Sequence, residues 1–148
     1  MGLKATTLVF GSGGSAAVLT RTPTWIDFDF SFDFFQTDAT TLNTSFYSLP
    51  AGGRITGASL EHSIAFLGGA IATVEASVGI AGSLERILPL FDVNQAVSGT
   101  VLEPTNIGDY INKSAATALF IQMNCTGAEL LELTQGQLRV SLLLSKAV

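Results

Sequence analysis

Apolar and polar residues alternate with a period of two along most of this chain. The clearest run is WIDFDFSFDFF, Trp25 to Phe35, where Ile26, Phe28, Phe30, Phe32 and Phe34 alternate with Asp27, Asp29, Ser31 and Asp33. Successive side chains on a strand point to opposite faces, so the spacing predicts one strand with an aromatic face and an acidic face. Ala72, Val74, Ala76, Val78 and Ile80 predict a second strand, and Leu138, Val140, Leu142 and Leu144 a third. TALFIQM, Thr117 to Met123, is apolar on both faces, the pattern of a central strand covered on two sides. Shorter strands are predicted at Thr6–Phe10, Ser45–Leu49, Arg54–Phe66 with an interruption, Leu84–Val93 broken at Pro89, and Ala96–Leu102.

Turn signals separate these runs: GSGG at Gly11, PAGG at Pro50, LGG at Leu67, AGS at Ala81, EPTN at Glu103, CTGAE at Cys125 and TQG at Thr134. No amphipathic helix of ordinary length is present. Glu103–Ala115 and Gly127–Leu133 have room for a helical turn each. The predicted fold is all-β, an antiparallel sandwich of jelly-roll type with roughly eight to ten strands. Residues 1–24 read as an N-terminal arm, or a first strand plus glycine loop, and residues 25–148 as a single sandwich domain. LPAGGRI at Leu49 and LTQGQLRV at Leu133 share a strand end, a glycine turn and an early Arg, the hint of two related halves.

Composition narrows the function. Hydrophobic residues make up 47% of the 148 residues and charged residues 13%, about half the share of roughly 25% in ordinary domains. Such an apolar, weakly charged surface calls for cover, and a subunit interface supplies it. The net charge is -5 and the seven Lys and Arg are scattered. No basic stripe is available to neutralise phosphates, which argues against direct nucleic-acid binding. One cysteine, Cys125, allows no intrachain disulfide, in keeping with a reducing cytoplasm. The amino terminus lacks the pattern of a signal peptide. Ile64–Ile80 carries Thr73, Glu75, Ser77 and three glycines and does not read as a membrane span. MGLKAT matches a myristoylation pattern and Asn43, Asn112 and Asn124 begin sequons, all short enough to arise by chance.

Several motifs invite chemistry and do not sustain it. Gly11-x-Gly13-x-x-Ala16 fits a dinucleotide fingerprint, but Pro23 and a strand follow where the phosphate-binding helix belongs. No cofactor is expected. Asp27, Asp29 and Asp33 suggest calcium, yet alternate strand residues lie roughly 6.5–7 Å apart, and the Gly and closing Glu of an EF-hand loop are absent. No metal is expected. His62, the single histidine, lies between Glu61 and Ser63, whose side chains point to the other face, so the three make no triad. Cys125 has no local signature of a nucleophile. Glu61, Glu75, Glu85 and Glu103 are isolated, so no glycosidase-like carboxylate pair stands out. No catalytic residue is expected, and the chain reads as a non-enzyme. The aromatic face, Phe28, Phe30, Phe32 and Phe34, is the candidate for either a domain core or a subunit interface. A lone strand has no partners for its backbone in lipid, so membrane insertion is not expected.

The succession SLPAGGRITGASLEH, AIATVEASVGIAG, LPLFDVNQAVSGT and LELTQGQLRVSLLL, from about Ser45 to Leu144, resembles small jelly-roll structural proteins of tailed bacteriophages, including head decoration and tail-associated subunits. The resemblance rests on pattern and transfers no functional residue. It implies a virion structural protein that associates with itself, often as a trimer, and with neighbouring capsid or tail proteins, without catalysis. Assembly would take place in the host cytoplasm and the product would reside in the virion. The alternative is a carbohydrate-binding sandwich for adhesion, against which the small number of Trp and Tyr (Trp25, Tyr47 and Tyr110) weighs.

Overall fold

The computed structural model describes residues 5–8, 22–95, 100–102, 110–111 and 115–146. Among them are ten strands: β1 (Ala5–Leu8), β2 (Thr24–Ser31), β3 (Thr41–Leu49), β4 (Gly53–Leu67), β5 (Thr73–Ile80), β6 (Ser83–Asp92), β7 (Thr100–Leu102), β8 (Tyr110–Ile111), β9 (Thr117–Thr126) and β10 (Gln135–Lys146). Two short 3-10 turns, Phe32–Phe34 and Leu130–Glu132, are the described helical elements. The larger sheet has the order β1-β2-β10-β4-β7, with β8 pairing β4 as well, and the smaller sheet the order β3-β9-β5-β6. Every pairing is antiparallel. The chain is the antiparallel β-sandwich that the alternation predicts.

The connectivity is a ribbon folded back on itself. Outward from the β5–β6 turn, β5 pairs β6, β4 pairs β7, β3 pairs β9 and β2 pairs β10. Lateral pairing of β10 with β4 and of β5 with β9 then joins the ribbon into its two sheets. The inner faces meet in one core. Ile26, Phe28 and Phe30 of β2, Leu138, Val140, Leu142 and Leu144 of β10, and Ile55 and Leu60 of β4 face Val74, Ala76 and Val78 of β5 and Leu119, Ile121 and Met123 of β9. Each large side chain sealed in this way contributes about 1.5–3 kcal/mol relative to exposure.

The aromatic run departs from the predicted single strand. β2 ends at Ser31, and Phe32–Phe34 form a 3-10 turn closed by the Phe35 N–H donating to the Phe32 carbonyl at 3.0 Å. The Ser31 hydroxyl donates to Asp33 Oδ1 at 2.5 Å and braces the turn. Packing explains the change. Phe34 and Phe35 are neighbours in sequence and both are buried, which two successive strand residues cannot be on one face. The turn brings both rings inward, 4.9 and 5.8 Å from Phe30, and Phe35 lies 5.9 Å from Phe66. Phe32 is half-buried and packs against the same cluster.

Other boundaries move for physical reasons. β6 continues past Pro89 as the last strand of its sheet, and the proline falls where the register against β5 shifts, between the Phe91 and Leu88 pairings, the edge-and-bulge setting in which a strand accepts proline. β4 is also continuous, and the expected interruption becomes register shifts against β10. There the burial phase slips: Ala58, Leu60 and Phe66 join the core, His62 and Ala65 are buried, and Ile64 between them is exposed. β9 is not covered on both sides: Leu119, Ile121 and Met123 are buried while Phe120 lies half-buried on the outer face. In β10, Gly136 adopts φ 146°, and a Cβ there would meet the Phe66 ring at 2.3 Å. The glycine in TQG therefore admits a core aromatic rather than a tight turn. The Gly11 loop, residues 96–99 of the strand predicted at Ala96–Leu102, most of Glu103–Ala115, Glu103 and Asn112 lie outside the described residues.

Candidate functional site

The outer face of the larger sheet is built in three rows across β2, β10 and β4. Pairing places Trp25, Leu143 and Gly57 in the first row, Asp27, Ser141 and Ser59 in the second, and Asp29, Arg139 and Glu61 in the third. These are the positions that alternate with the buried phenylalanines and leucines, so the pleat that forms the core also arranges this surface.

The third row is electrostatic. Arg139 donates from Nε to Asp29 Oδ1 at 2.6 Å and from Nη2 to Asp29 Oδ2 at 3.1 Å, a two-pronged pair. Its Nη1 lies 3.7 Å from Asp27 Oδ2. The hydrogen bond to Asp29 holds the guanidinium above its ordinary pKa, and the nearby charges of Asp29, Asp27 and Glu61 act in the same direction. In the second row the Ser141 hydroxyl donates to Asp27 Oδ1 at 2.7 Å. Two of the three aspartates considered for calcium are thus engaged with Arg139 and Ser141, and the third, Asp33, sits in the 3-10 turn. Among the described residues no group of three or more His, Cys, Asp or Glu is gathered to hold a metal.

Above the second row a cleft of about 360 Å³ opens between Trp25, Asp27, Ala58, Ser59 and Ser141. Trp25 is 53% exposed. Its indole reaches across β10 to β4, where a Cβ at position 57 would lie 3.3 Å from Trp25 Cη2 and 3.2 Å from Leu143 Cβ. The glycine in RITGASL thus leaves room for the ring to lie along the sheet. Sequence reasoning did not assemble this cleft, whose residues come from three distant segments. Trp25 was visible as the single tryptophan at the solvent end of an otherwise apolar alternation.

The outer face of the smaller sheet is neutral in its centre. Asn43, Gln122 and Ser77 form one row and Ser45, Phe120 and Gly79 another. Ser77 is fully buried. Its Oγ lies 2.9 Å from the Leu84 carbonyl and 3.0 Å from Gln122 Oε1. One hydroxyl hydrogen cannot serve both acceptors, so a Gln122 amide turned to donate satisfies the group. Beside it, Asn43, Leu84, Glu85, Phe120 and Gln122 line an open depression.

The two-sheet fold is shared with a chain of the cyanophage Pam1 capsid asymmetric unit. The superposition has a TM-score of 0.63 and 22% sequence identity, covering 95% of this chain and 93% of that one. No family model matches the chain, and no curated protein matches it.

The remaining expected residues are dispersed. His62 is fully buried, its Nε2 donating to the Gln95 carbonyl at 3.1 Å and its ring 6.0 Å from Phe91. Its Nδ1 has no partner among the described residues. Glu61 lies on the outer face, as the alternation required. Cys125 is buried, with its thiol donating to the Ala128 carbonyl at 3.1 Å. Burial, with Glu129 adding to it, pushes this thiol up from its ordinary pKa, the opposite of an activated nucleophile. Phe28 and Phe30 are buried within the chain, edge-on to Phe46 at 4.9 and 5.7 Å. No described helix is long and apolar enough to cross a membrane.

Proposed function

We propose that this chain is a structural protein of a tailed-bacteriophage virion, which binds copies of itself and neighbouring capsid or tail subunits. The observation that carries the reading is the similarity to a phage capsid chain over nearly the whole length of both chains. The nested order β2-β10-β4-β7 against β3-β9-β5-β6 supports it, because one ribbon wrapped into two sheets is the arrangement expected of the jelly roll that the phage resemblance implies.

On this reading the sandwich is a rigid block and its contacts are made by strand edges, outer faces and the N-terminal segment through Thr24, from which β1 pairs with β2. The aromatic rings Phe28, Phe30 and Phe34 hold the block together from inside. The protein performs no catalysis, needs no cofactor and works in the virion after assembly in the host cytoplasm.

Light scattering on the purified protein tests the proposal. A chain of 15.5 kDa should give a small whole multiple of that mass, a trimer being expected, or should assemble as its concentration rises. A strict monomer at every concentration that also fails to join capsid or tail proteins co-expressed with it would overturn the reading.

A further inference from the structure

We propose that the Trp25 cleft is a binding site for a neutral pyranose sugar. The inference is independent of the virion reading, since it rests on the cleft alone. Its volume of about 360 Å³ falls at the small end of ligand pockets, roughly 300–1,000 Å³.

Three features of the cleft fix the ligand class. The first is an apolar wall in water. Trp25 is 53% exposed, and the far edge of its ring lies over Gly57, where a side chain would crowd it. A large aromatic surface kept wet beside polar groups suits a partner with one apolar face and polar edges. The C–H face of a pyranose meets that description.

The second is a set of polar atoms with hydrogen-bonding capacity to spare. Asp27 Oδ1 is taken by Ser141, but Oδ2 accepts no hydrogen bond among the described residues, with Arg139 Nη1 3.7 Å away. The Ser59 hydroxyl has no described partner, and Ser141 Oγ keeps its acceptor lone pairs. A carboxylate oxygen that only accepts and a hydroxyl that both donates and accepts stand on opposite sides of β10, in one row. Vicinal hydroxyls of a sugar, each donor and acceptor at once, complement that set.

The third is charge. Asp27 and Asp29 disfavour an anionic ligand. The Arg139 cation facing Asp27 disfavours a cationic one, and a single indole offers one wall where an ammonium cage needs several. A neutral polyhydroxyl ligand remains.

Trp25 is the single tryptophan, so intrinsic fluorescence of the intact protein reports directly on this cleft. The probes are the methyl glycosides of glucose, galactose, mannose and N-acetylglucosamine, with choline chloride as the cationic control. At least one glycoside should produce a saturable change in emission with a Kd of about 1–10 mM, an affinity fitting one small open site. Asp27→Asn should weaken binding about tenfold, the consequence of losing a hydrogen bond to a charged group. By ligand-observed NMR, Trp25→Ala, checked as folded by circular dichroism, should abolish binding. No saturable response to any of the four glycosides, an equal response to choline, or binding that survives Trp25→Ala would each overturn the proposal.

Discussion

Two polar contacts, one on each sheet, show how differently the same cross-strand arrangement can act. On the larger sheet, Arg139 and Asp29 form a two-pronged ion pair between β10 and β2 at 2.6 and 3.1 Å, with the arginine side chain 47% exposed. On the smaller sheet, neutral Ser77 joins Gln122 and the Leu84 carbonyl at 3.0 and 2.9 Å, with the serine fully buried. The ion pair has the stronger partners and the shorter bond. Water competes for the arginine, however, and salt screens its charge, while the Asp29 side chain is 15% exposed. The serine has no water to fall back on, so losing its partner leaves buried groups unsatisfied. Burial outweighs charge, and the quieter contact matters more for stability.

Substitutions can break this ranking. If apolar packing behind both contacts dominates either of them, Phe30→Ala should have the largest effect. Phe30 is fully buried and touches Phe34, Phe35 and Phe46, so urea unfolding should show a loss of about 3–5 kcal/mol. A loss comparable to that of a surface change would mean that the two sheets do not share one rigid core. Ser77→Ala comes next, with an expected loss of about 1–3 kcal/mol. That loss should be nearly the same in low and high salt. Arg139→Gln should be smallest, about 0.2–1 kcal/mol, and should shrink further as salt is added. An Arg139→Gln loss exceeding that of Ser77→Ala would reverse the comparison and make the outer ion pair a principal brace of the larger sheet.

Much of the fold was legible because a pleated strand has a rigid period. Ile26, Phe28 and Phe30 announced their face two residues at a time, as did Val74, Ala76 and Val78, and Leu138 to Leu144. Their burial follows from that spacing. The same rule misled where it went on fitting after the strand had ended. Phe32 and Phe34 keep perfect alternation, yet the chain turns at Ser31 because the core has room for Phe34 and Phe35 together. Nothing local distinguishes an alternating residue on a strand from one on a turn. Pro89 marked a real irregularity but not the end of a strand: β6 continues past it with a register shift against β5. A proline stops a central strand but not an edge strand, and whether β6 is an edge depends on every other strand. TALFIQM, apolar throughout, suggested two covered faces, and the structure leaves Phe120 half-buried on the outside.

The site shows a sharper division. Asp27 and Asp29 could be placed on one outward face from the sequence, and strand spacing already argued against a chelate between them. Their partners could not be named, since Arg139 and Ser141 lie more than a hundred residues away. His62 and Cys125 carried no local signature of catalysis, and among the described residues each is hydrogen-bonded to a backbone carbonyl. The Trp25 cleft was beyond reach: Trp25, Ser59 and Ser141 become neighbours only when β10 inserts between β2 and β4.

By itself, then, the sequence determined the kind of element this chain forms and which face of each strand is apolar, because both follow from a local two-residue repeat and from the cost of exposing apolar surface. Strand order, the turn after Ser31, the tolerance of Pro89 and the meeting of Trp25 with Asp27, Ser59 and Ser141 were decided only by the tertiary structure. Those outcomes depend on contacts between distant segments competing for one shared core, and a local pattern carries no record of which distant strand will lie beside it.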